Sequence, residues 1–229
     1  MNKALNTSLG FAQTARVARW LLPAYALLVV VGTLSSISDS LMVAIAPTAP
    51  PGQLLYVLSK VAGLLAIVLV WLQLMLSLSG KFFDQLAYAG SRVHRISGLM
   101  LLLLLSLHAA LFVAAVSVRH GSLSLGILIP DFTSGFYTSS VSLGILGLLL
   151  FGLTSAVYVF RKTREHLFRW GHRCVVAACL LVFVHSYLIG SETRSALMGS
   201  FYLVAAIMLL AASGAVYLKP IVMRRVQYD

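Results

Sequence analysis

The sequence has few charged residues and very few acidic ones. Only 10% of the residues are charged, and six acidic residues face 17 basic ones, whereas an ordinary soluble domain is about 25% charged. No stretch is both long and polar enough to form a large soluble domain. The chain also lacks a glycine-rich dinucleotide motif after a predicted strand. Its two cysteines, Cys174 and Cys179, exclude a disulfide scaffold and an iron–sulfur cluster, and we interpret them as small buried hydrophobic side chains.

Apolar residues dominate instead. They make up 60% of the 229 residues, and the mean hydropathy is +0.95. They occur in stretches near the ~18 to 20 residues that cross a hydrocarbon core. We therefore predict an all-α integral membrane protein that spans the bilayer as a six-transmembrane-helix bundle. The six predicted spans cover residues 20–37, 54–78, 92–118, 141–160, 170–190 and 196–218.

Basic residues predict the orientation of these spans. Fourteen of them fall on one side: Lys3, Arg16, Arg19, Lys81, Arg92, Arg95, Arg161, Lys162, Arg164, Arg169, Arg173, Lys219, Arg224 and Arg225. Only Arg119 and Arg194 fall on the other side. This asymmetry predicts that both termini are cytoplasmic. It suits anionic lipid headgroups or an acidic cytoplasmic partner, and it indicates no nucleic acid. The positive leader could mark a signal peptide, but no clear cleavage site follows, so we favour an uncleaved first helix.

Four histidines lie in the third and fifth predicted spans. His108 follows His94 at position i+14, and His185 follows His172 at position i+13. A histidine inside a membrane span is costly, so it suggests a function. Because the two spans run in the same direction, His94 should face His172 and His108 should face His185, at levels roughly 20 Å apart. Each pair could supply both axial ligands of a haem iron, which predicts two haems between helices three and five.

The angular positions of these histidines agree only in part with this arrangement. On a straight helix, an i+14 step returns to within ~40° of the starting face, whereas an i+13 step leaves the second side chain about 140° away. His172 and His185 therefore need a kink, a bulge or a strong tilt between them, and Gly171 hints at irregularity there. His120 and His166 fall outside the spans, and we expect them to be solvated.

Several cations and one loop are further candidates for contacts with a haem or with the electron acceptor. Arg92, Arg95, Arg169 and Arg173 flank His94 and His172, where they could pair with haem propionates or simply belong to the positive-inside belt. Lys60 lies about two turns from the outer end of span two. It could meet an outer haem propionate or an anionic acceptor, or extend to the headgroups. The loop 119–140 could fold over the outer haem or be a loose connector. We expect close approach of helices or porphyrin at Gly98, Gly144, Gly147 and Gly152.

Two segments of the chain resemble a known family. The sequence RVHRISG at 92–98, followed by Leu107 and His108, resembles the third helix of the ferric reductase-like transmembrane domain. The sequence WGHR at 170–173, with VHS at 184–186, resembles its fifth helix. That superfamily includes NADPH oxidases, ferric reductases and the haem subunit of bacterial periplasmic methionine sulfoxide reductase. The resemblance implies two b-type haems, bis-histidine ligation at the four positions, and electron transfer from the cytoplasmic to the outer face.

We accordingly expect residues 1–229 to form a single ferric reductase-like domain without a flavin or nicotinamide domain. Such an oxidoreductase needs a separate electron donor: a cytoplasmic flavoprotein reductase, a bound flavin or a quinol. The acceptor at the outer face would be a ferric chelate, oxygen, a flavin or a periplasmic partner enzyme. The resemblance to stand-alone bacterial members implies a multi-pass protein of the bacterial inner membrane.

Two alternatives remain open at this stage. The chain could be a quinol-linked cytochrome b subunit of a larger complex, in which the haems remain and the direction of electron flow changes. It could also be a haem-free six-helix transporter, in which the histidines and Lys60 form a proton or substrate pathway. Rapid reduction of the haem by a quinol alone would favour the first, and absence of haem colour would favour the second.

Overall fold

A computed structural model of the chain describes residues 27–79 apart from 33 and 36, residues 84–194, and residues 196–214. In these ranges the regular elements are all helical. Short 3-10 segments at Leu125–Leu128, Val157–Arg161 and Ser191–Arg194 join or extend the longer helices. The α-helices, in chain order, are α1 (Leu27–Ile45), α2 (Gln53–Ser79), α3 (Asp84–His120), α4 (Phe136–Ala156), α5 (Glu165–Arg173), α6 (Val175–Ile189) and α7 (Ala196–Ser213).

Five helical segments in the described part of the chain are long and apolar enough to cross a membrane. They are Leu27–Ile45, Gln53–Leu74, Arg92–His120, Phe136–Arg161 and Glu165–Ile189. The apolar part of α7, Ala196–Leu210, is shorter, and the end of the predicted sixth span, 215–218, lies outside the described residues. The chain is therefore a multi-pass α-helical membrane protein, with five of the six predicted spans present as long apolar helices.

The helix α2 lies at the centre of the packing. Half of its membrane-spanning window is buried, against 17 to 19% for the other four spans. The large side chains of Leu64, Ile67 and Trp71 are nearly inaccessible, and α2 contacts α3, α6 and α7. On the outward face of α3, by contrast, Leu99, Leu103 and Leu107 are 45 to 69% exposed. A stripe of exposed leucines suits contact with lipid.

The helices α2 and α3 are antiparallel in a fixed register. The Ser59 hydroxyl donates a hydrogen bond to the His108 carbonyl at 2.9 Å, and the Gln73 side-chain amide donates one to the His94 carbonyl at 2.8 Å. We call the end of the bundle that carries loop 121–135 the Asp131 end, and the end with 157–164 the Arg161 end. His108 and His185 lie nearer the Asp131 end, and His94 and His172 nearer the Arg161 end.

Two helices extend past the predicted span boundaries, for the same physical reason. The first helix continues to Ile45, beyond the predicted span end at Ile37, and the fourth begins at Phe136, before the predicted span start at Val141. Both disputed segments are rich in serine. The Ser38 hydroxyl bonds the Ser35 carbonyl at 2.7 Å, and the Ser140 hydroxyl bonds the Phe136 carbonyl at 2.8 Å. A serine that bonds its own preceding turn is accommodated inside an apolar helix.

The fifth predicted span is two helices rather than one. α5 ends at Arg173, Cys174 forms a turn, and α6 begins at Val175. The Cys174 amide bonds the Gly171 carbonyl at 3.0 Å, which is a tighter step than the α-helical one. Gly171 packs against Val157, where an added Cβ would come within 2.5 Å of a methyl group. The irregularity that the i+13 spacing required is therefore present, shortly after His172.

Candidate functional site

The structure brings the four intramembrane histidines together as two pairs. The ring centres of His94 and His172 are 6.1 Å apart, and those of His108 and His185 are 6.3 Å apart. The ring planes are crossed, at 77° in the first pair and 71° in the second. Each pair joins α3 to the α5–α6 segment, and the order of the pairs shows that these segments run in the same direction. Both histidines of the α5–α6 segment thus reach α3 despite their i+13 spacing.

The rings of His108 and His185 are held by backbone carbonyls. Nδ1 of His108 lies 2.8 Å from the Ser59 carbonyl oxygen and 3.0 Å from the Ser59 hydroxyl oxygen. Nδ1 of His185 lies 2.7 Å from the Ser140 carbonyl oxygen. A carbonyl oxygen can only accept, so Nδ1 carries the proton in both rings and donates. Nε2 is then an unprotonated nitrogen with a lone pair, which is the usual state of a metal-binding imidazole.

The other pair has a more open environment. His172 is exposed and His94 is half-buried. The ring of Phe168 stacks on His172, with centres 5.5 Å apart and planes 20° apart. Gln73, which holds the backbone of His94, follows Ser59 by the same sequence interval that separates His94 from His108. In the antiparallel register of α2 and α3, a side chain of α2 therefore donates a hydrogen bond to the backbone carbonyl of each α3 histidine. Among the described residues, hydrogen bonds to the histidine rings occur only at the Asp131 end.

Glycines lie directly against the rings of one pair. An added Cβ on Gly144 would approach ring atoms of His185 to 2.7 Å, and one on Gly63 would approach ring atoms of His108 to 2.9 Å. Of the other glycines singled out from the sequence, Gly147 packs on Val182, Gly98 meets the Gln73 side chain and Gly152 faces open space. Gly63 was missed, although Gly63 and Gly144 each follow a serine at position i+4, a pattern visible in the sequence.

A cavity opens between His108 and His185. The space that the centre of a water-sized sphere can occupy in it is about 140 Å³. Most of its wall is apolar and comes from α2, α3, α4 and α6. The polar wall residues are Tyr56, Ser59, Lys60, Tyr137, Ser186 and Glu192. The cavity therefore combines two histidine side chains with apolar walls and a small polar region.

Lys60 reaches this cavity and pairs with Glu192. The ammonium contacts the Glu192 carboxylate and donates to the Ser191 hydroxyl at 3.1 Å, and that hydroxyl donates to Glu192 at 2.8 Å. The Lys60 side chain is 19% exposed and the Glu192 side chain 6%. Burial raises the pKa of Glu192, but hydrogen bonds from Lys60 and Ser191 outweigh it and leave the pKa below its ordinary value. Sequence reasoning missed this ion pair, and no periodic signal indicated it.

The arginines predicted beside the other pair are exposed. Arg92, Arg95, Arg169 and Arg173 all keep a large accessible surface. Arg169 makes an ion pair with Glu165, one turn earlier in α5, at 3.3 Å. An exposed pair of this kind contributes little to stability. A role of these four side chains in holding propionates therefore stays a prediction, as does the same role for Lys60.

The loop 121–135 contributes to the cavity wall. Ile127 and Leu128 line the cavity. The loop is anchored where the Asp131 amide donates to the Ser142 hydroxyl at 2.7 Å. The Asp131 carboxylate accepts hydrogen bonds from Ser134 and Thr133, which lower its pKa to about 2. The Asp131 carboxylate thus stabilises the turn 131–134 through these hydrogen bonds.

No group of three or more histidine, cysteine or acidic side chains in the described residues could hold a metal ion by itself. Comparisons of the whole chain with protein-family models, with curated proteins and with solved structures give no match. The resemblance to the ferric reductase-like domain therefore rests on the two histidine segments alone. The candidate site consists of two histidine pairs, one of which borders a mainly apolar cavity.

Proposed function

We propose that the protein is a di-haem b transmembrane electron-transfer subunit of the ferric reductase-like type. The observation that carries the proposal is the spacing of the two histidine pairs. With a metal–nitrogen bond of about 2.0 Å and a ring radius of roughly 1.1 Å, two imidazoles on opposite sides of one metal would have ring centres about 6.2 Å apart. The observed separations are 6.1 and 6.3 Å.

The chemistry of the donor set supports the same assignment. His108 and His185 have Nδ1 bonded to carbonyl oxygens, which leaves a basic Nε2 on each ring for the iron. The mainly apolar cavity beside them would suit a porphyrin, and Lys60, which lines that cavity in an ion pair with Glu192, would meet a propionate there. At the Arg161 end, His94 and His172 would hold the second haem, with Arg92, Arg95, Arg169 and Arg173 nearby.

The bound haems would supply one-electron carriers at two depths in the bilayer. The protein supplies axial ligands, an apolar surrounding and a cationic surface at the Arg161 end. We propose that this end faces the cytoplasm of a bacterium and receives electrons from a flavoprotein, a flavin or a quinol. The acceptor at the Asp131 end, on the outer face, would be reduced without binding the iron, because His108 and His185 would both hold the haem there.

The decisive experiment is a reduced-minus-oxidised spectrum of the purified protein with haem quantified per chain. We expect b-type bands and close to two haems for the wild type. His108→Ala and His94→Ala should each lose about one haem. His120→Ala and His166→Ala are matched controls, because both histidines are exposed and lie outside the pairs, and they should keep both haems. A wild type without haem, expressed with ample haem supply, would refute the proposal.

A haem-free transporter is the alternative that one observation favours. The Lys60–Glu192 ion pair lines the same cavity as two histidines, and buried ionisable groups of this kind form proton pathways in transporters. If the protein is such a transporter, His108→Ala should abolish proton-coupled uptake in vesicles while the purified wild-type protein stays colourless. A haem-containing wild type would exclude it.

A further inference from the structure

The same two-residue arrangement supports both histidines at the Asp131 end. On α2, Ser59 accepts the His108 ring proton, and Gly63 lies against the ring. On α4, Ser140 accepts the His185 ring proton, and Gly144 lies against that ring. We call each serine–glycine pair an imidazole cradle. The two cradles lie on different helices, and they have the same i, i+4 spacing.

Helix geometry explains the spacing. The carbonyl of residue i bonds the amide of residue i+4, so the serine carbonyl points along the helix toward the glycine. That oxygen keeps a second lone pair. Any side chain at i+4 would cover it, whereas glycine leaves a flat surface on which a ring can lie while its N–H reaches the carbonyl. The cradle therefore selects a planar donor.

A ring held in this way has little freedom. Its proton is fixed on Nδ1 by the carbonyl, and rotation about the axis through Nε2 is opposed by the glycine backbone on one side. One cradle lies on α2 and the other on α4, and the ring planes of His108 and His185 lie at 71° to each other. Crossed axial imidazoles give low-spin ferric iron one dominant low-field resonance, whereas parallel imidazoles give three resolved features.

We infer that the two imidazole cradles are positioning elements that fix the crossed axial ligands of the iron at the Asp131 end. Ser59 and Ser140 set the ring protons, and Gly63 and Gly144 set the ring orientations. This inference rests on the proposed function. It adds that the electronic state of this haem is set from α2 and α4, which carry none of the four histidines.

The test compares electron paramagnetic resonance spectra and potentiometric titrations of the haem-loaded wild type, Gly144→Ala and Gly63→Ala. In the two variants the new methyl group must displace the ring. We expect two haems per chain, displacement of one of two low-field signals, and a shift in the midpoint potential of that haem alone. Gly63→Ala has the wider contacts, 2.9 and 3.1 Å against 2.7 Å for Gly144→Ala, so it carries the test if Gly144→Ala does not fold.

Two control glycines lie on the same helix as Gly144. Gly152→Ala meets nothing within 4 Å and should leave spectrum and stability unchanged, whereas Gly147→Ala meets Val182 at 2.6 Å and should lower thermal stability without moving the signal. Wild-type spectra in both Gly63→Ala and Gly144→Ala at full haem loading would overturn the inference. So would a signal shift in Gly147→Ala as large as in Gly144→Ala. A wild type without haem would overturn the proposed function and this inference together.

Discussion

Replacing Glu192 by glutamine removes one charge from the buried ion pair with Lys60 and keeps the size of the side chain. The Lys60 ammonium then stays in the cavity wall with a neutral partner. Removing one member of a buried pair costs about 3–5 kcal/mol. Glutamine keeps one acceptor and the Lys60 side chain is 19% exposed, so we expect about 1–3 kcal/mol.

Thermal unfolding in one detergent measures this effect. For a chain of this size, 1 kcal/mol corresponds to about 2–4 °C, so Glu192→Gln should lower Tm by roughly 3–10 °C. Lys60→Met should have a similar effect. The double variant should be less destabilised than the sum of the two, with a coupling of at least about 1 kcal/mol. Because the pKa of Glu192 is lowered in the folded protein, this stabilisation is present at neutral pH and decreases as the pH falls through that pKa.

Haem content distinguishes the role of Lys60 from that of Glu192. If Lys60 also meets a haem propionate, Lys60→Met should reduce retention of the haem at the Asp131 end, and Glu192→Gln should not. Arg119→Met is the control, because Arg119 is an exposed cation at the same end that bonds Gln53 at 3.2 Å.

The stability measurement has its own refuting result. If the losses of unfolding free energy in Glu192→Gln and Lys60→Met add within about 0.5 kcal/mol in the double variant, the ion pair contributes nothing.

Two further predictions concern the loop at the Asp131 end. Ser142→Ala removes the hydroxyl that anchors the Asp131 amide at 2.7 Å, so it should cost about 1–2 kcal/mol and speed hydrogen exchange in residues 121–135; unchanged exchange there would contradict the anchoring role. The pKa of Asp131 is lowered to about 2 from an ordinary 3.8, so its stabilisation of the turn should be complete above about pH 4 and decrease as the pH falls toward 2; titration by carbon-13 NMR, with Asp131→Asn as reference, checks the value.

The pairing of the histidines could be predicted because it depends only on periodicity and direction. The i+14 and i+13 spacings on two spans of the same direction place His94 near His172 and His108 near His185, and the structure has both contacts. The i+13 spacing also predicted an irregular helix, and the structure has a turn at Cys174 between α5 and α6. Haem ligation by these residues stays a prediction.

Other features depend on long-range contacts or on side-chain hydrogen bonds that periodicity does not contain. Lys60 and Glu192 lie far apart in the sequence, so their contact follows from the packing of α2 beside the connection between α6 and α7. The helices continue past the predicted span boundaries at Ile37 and Val141 because a serine that bonds its own helix does not interrupt that helix. The i, i+4 spacing from a serine to Gly63 and to Gly144 was visible in the sequence, but both residue types are common in membrane helices. Its role follows only from the contacts of these glycines with the rings of His108 and His185.

The turn at Cys174 divides the fifth crossing into two helices that pack separately. The short helix α5 carries His172 near its end and exposed arginines along its length. It packs mainly against the segment 157–161, whereas α6 packs mainly against α4. The two histidines of this crossing therefore depend on different neighbours for their positions: His172 on the packing of α5 against 157–161, and His185 on the packing of α6 against α4.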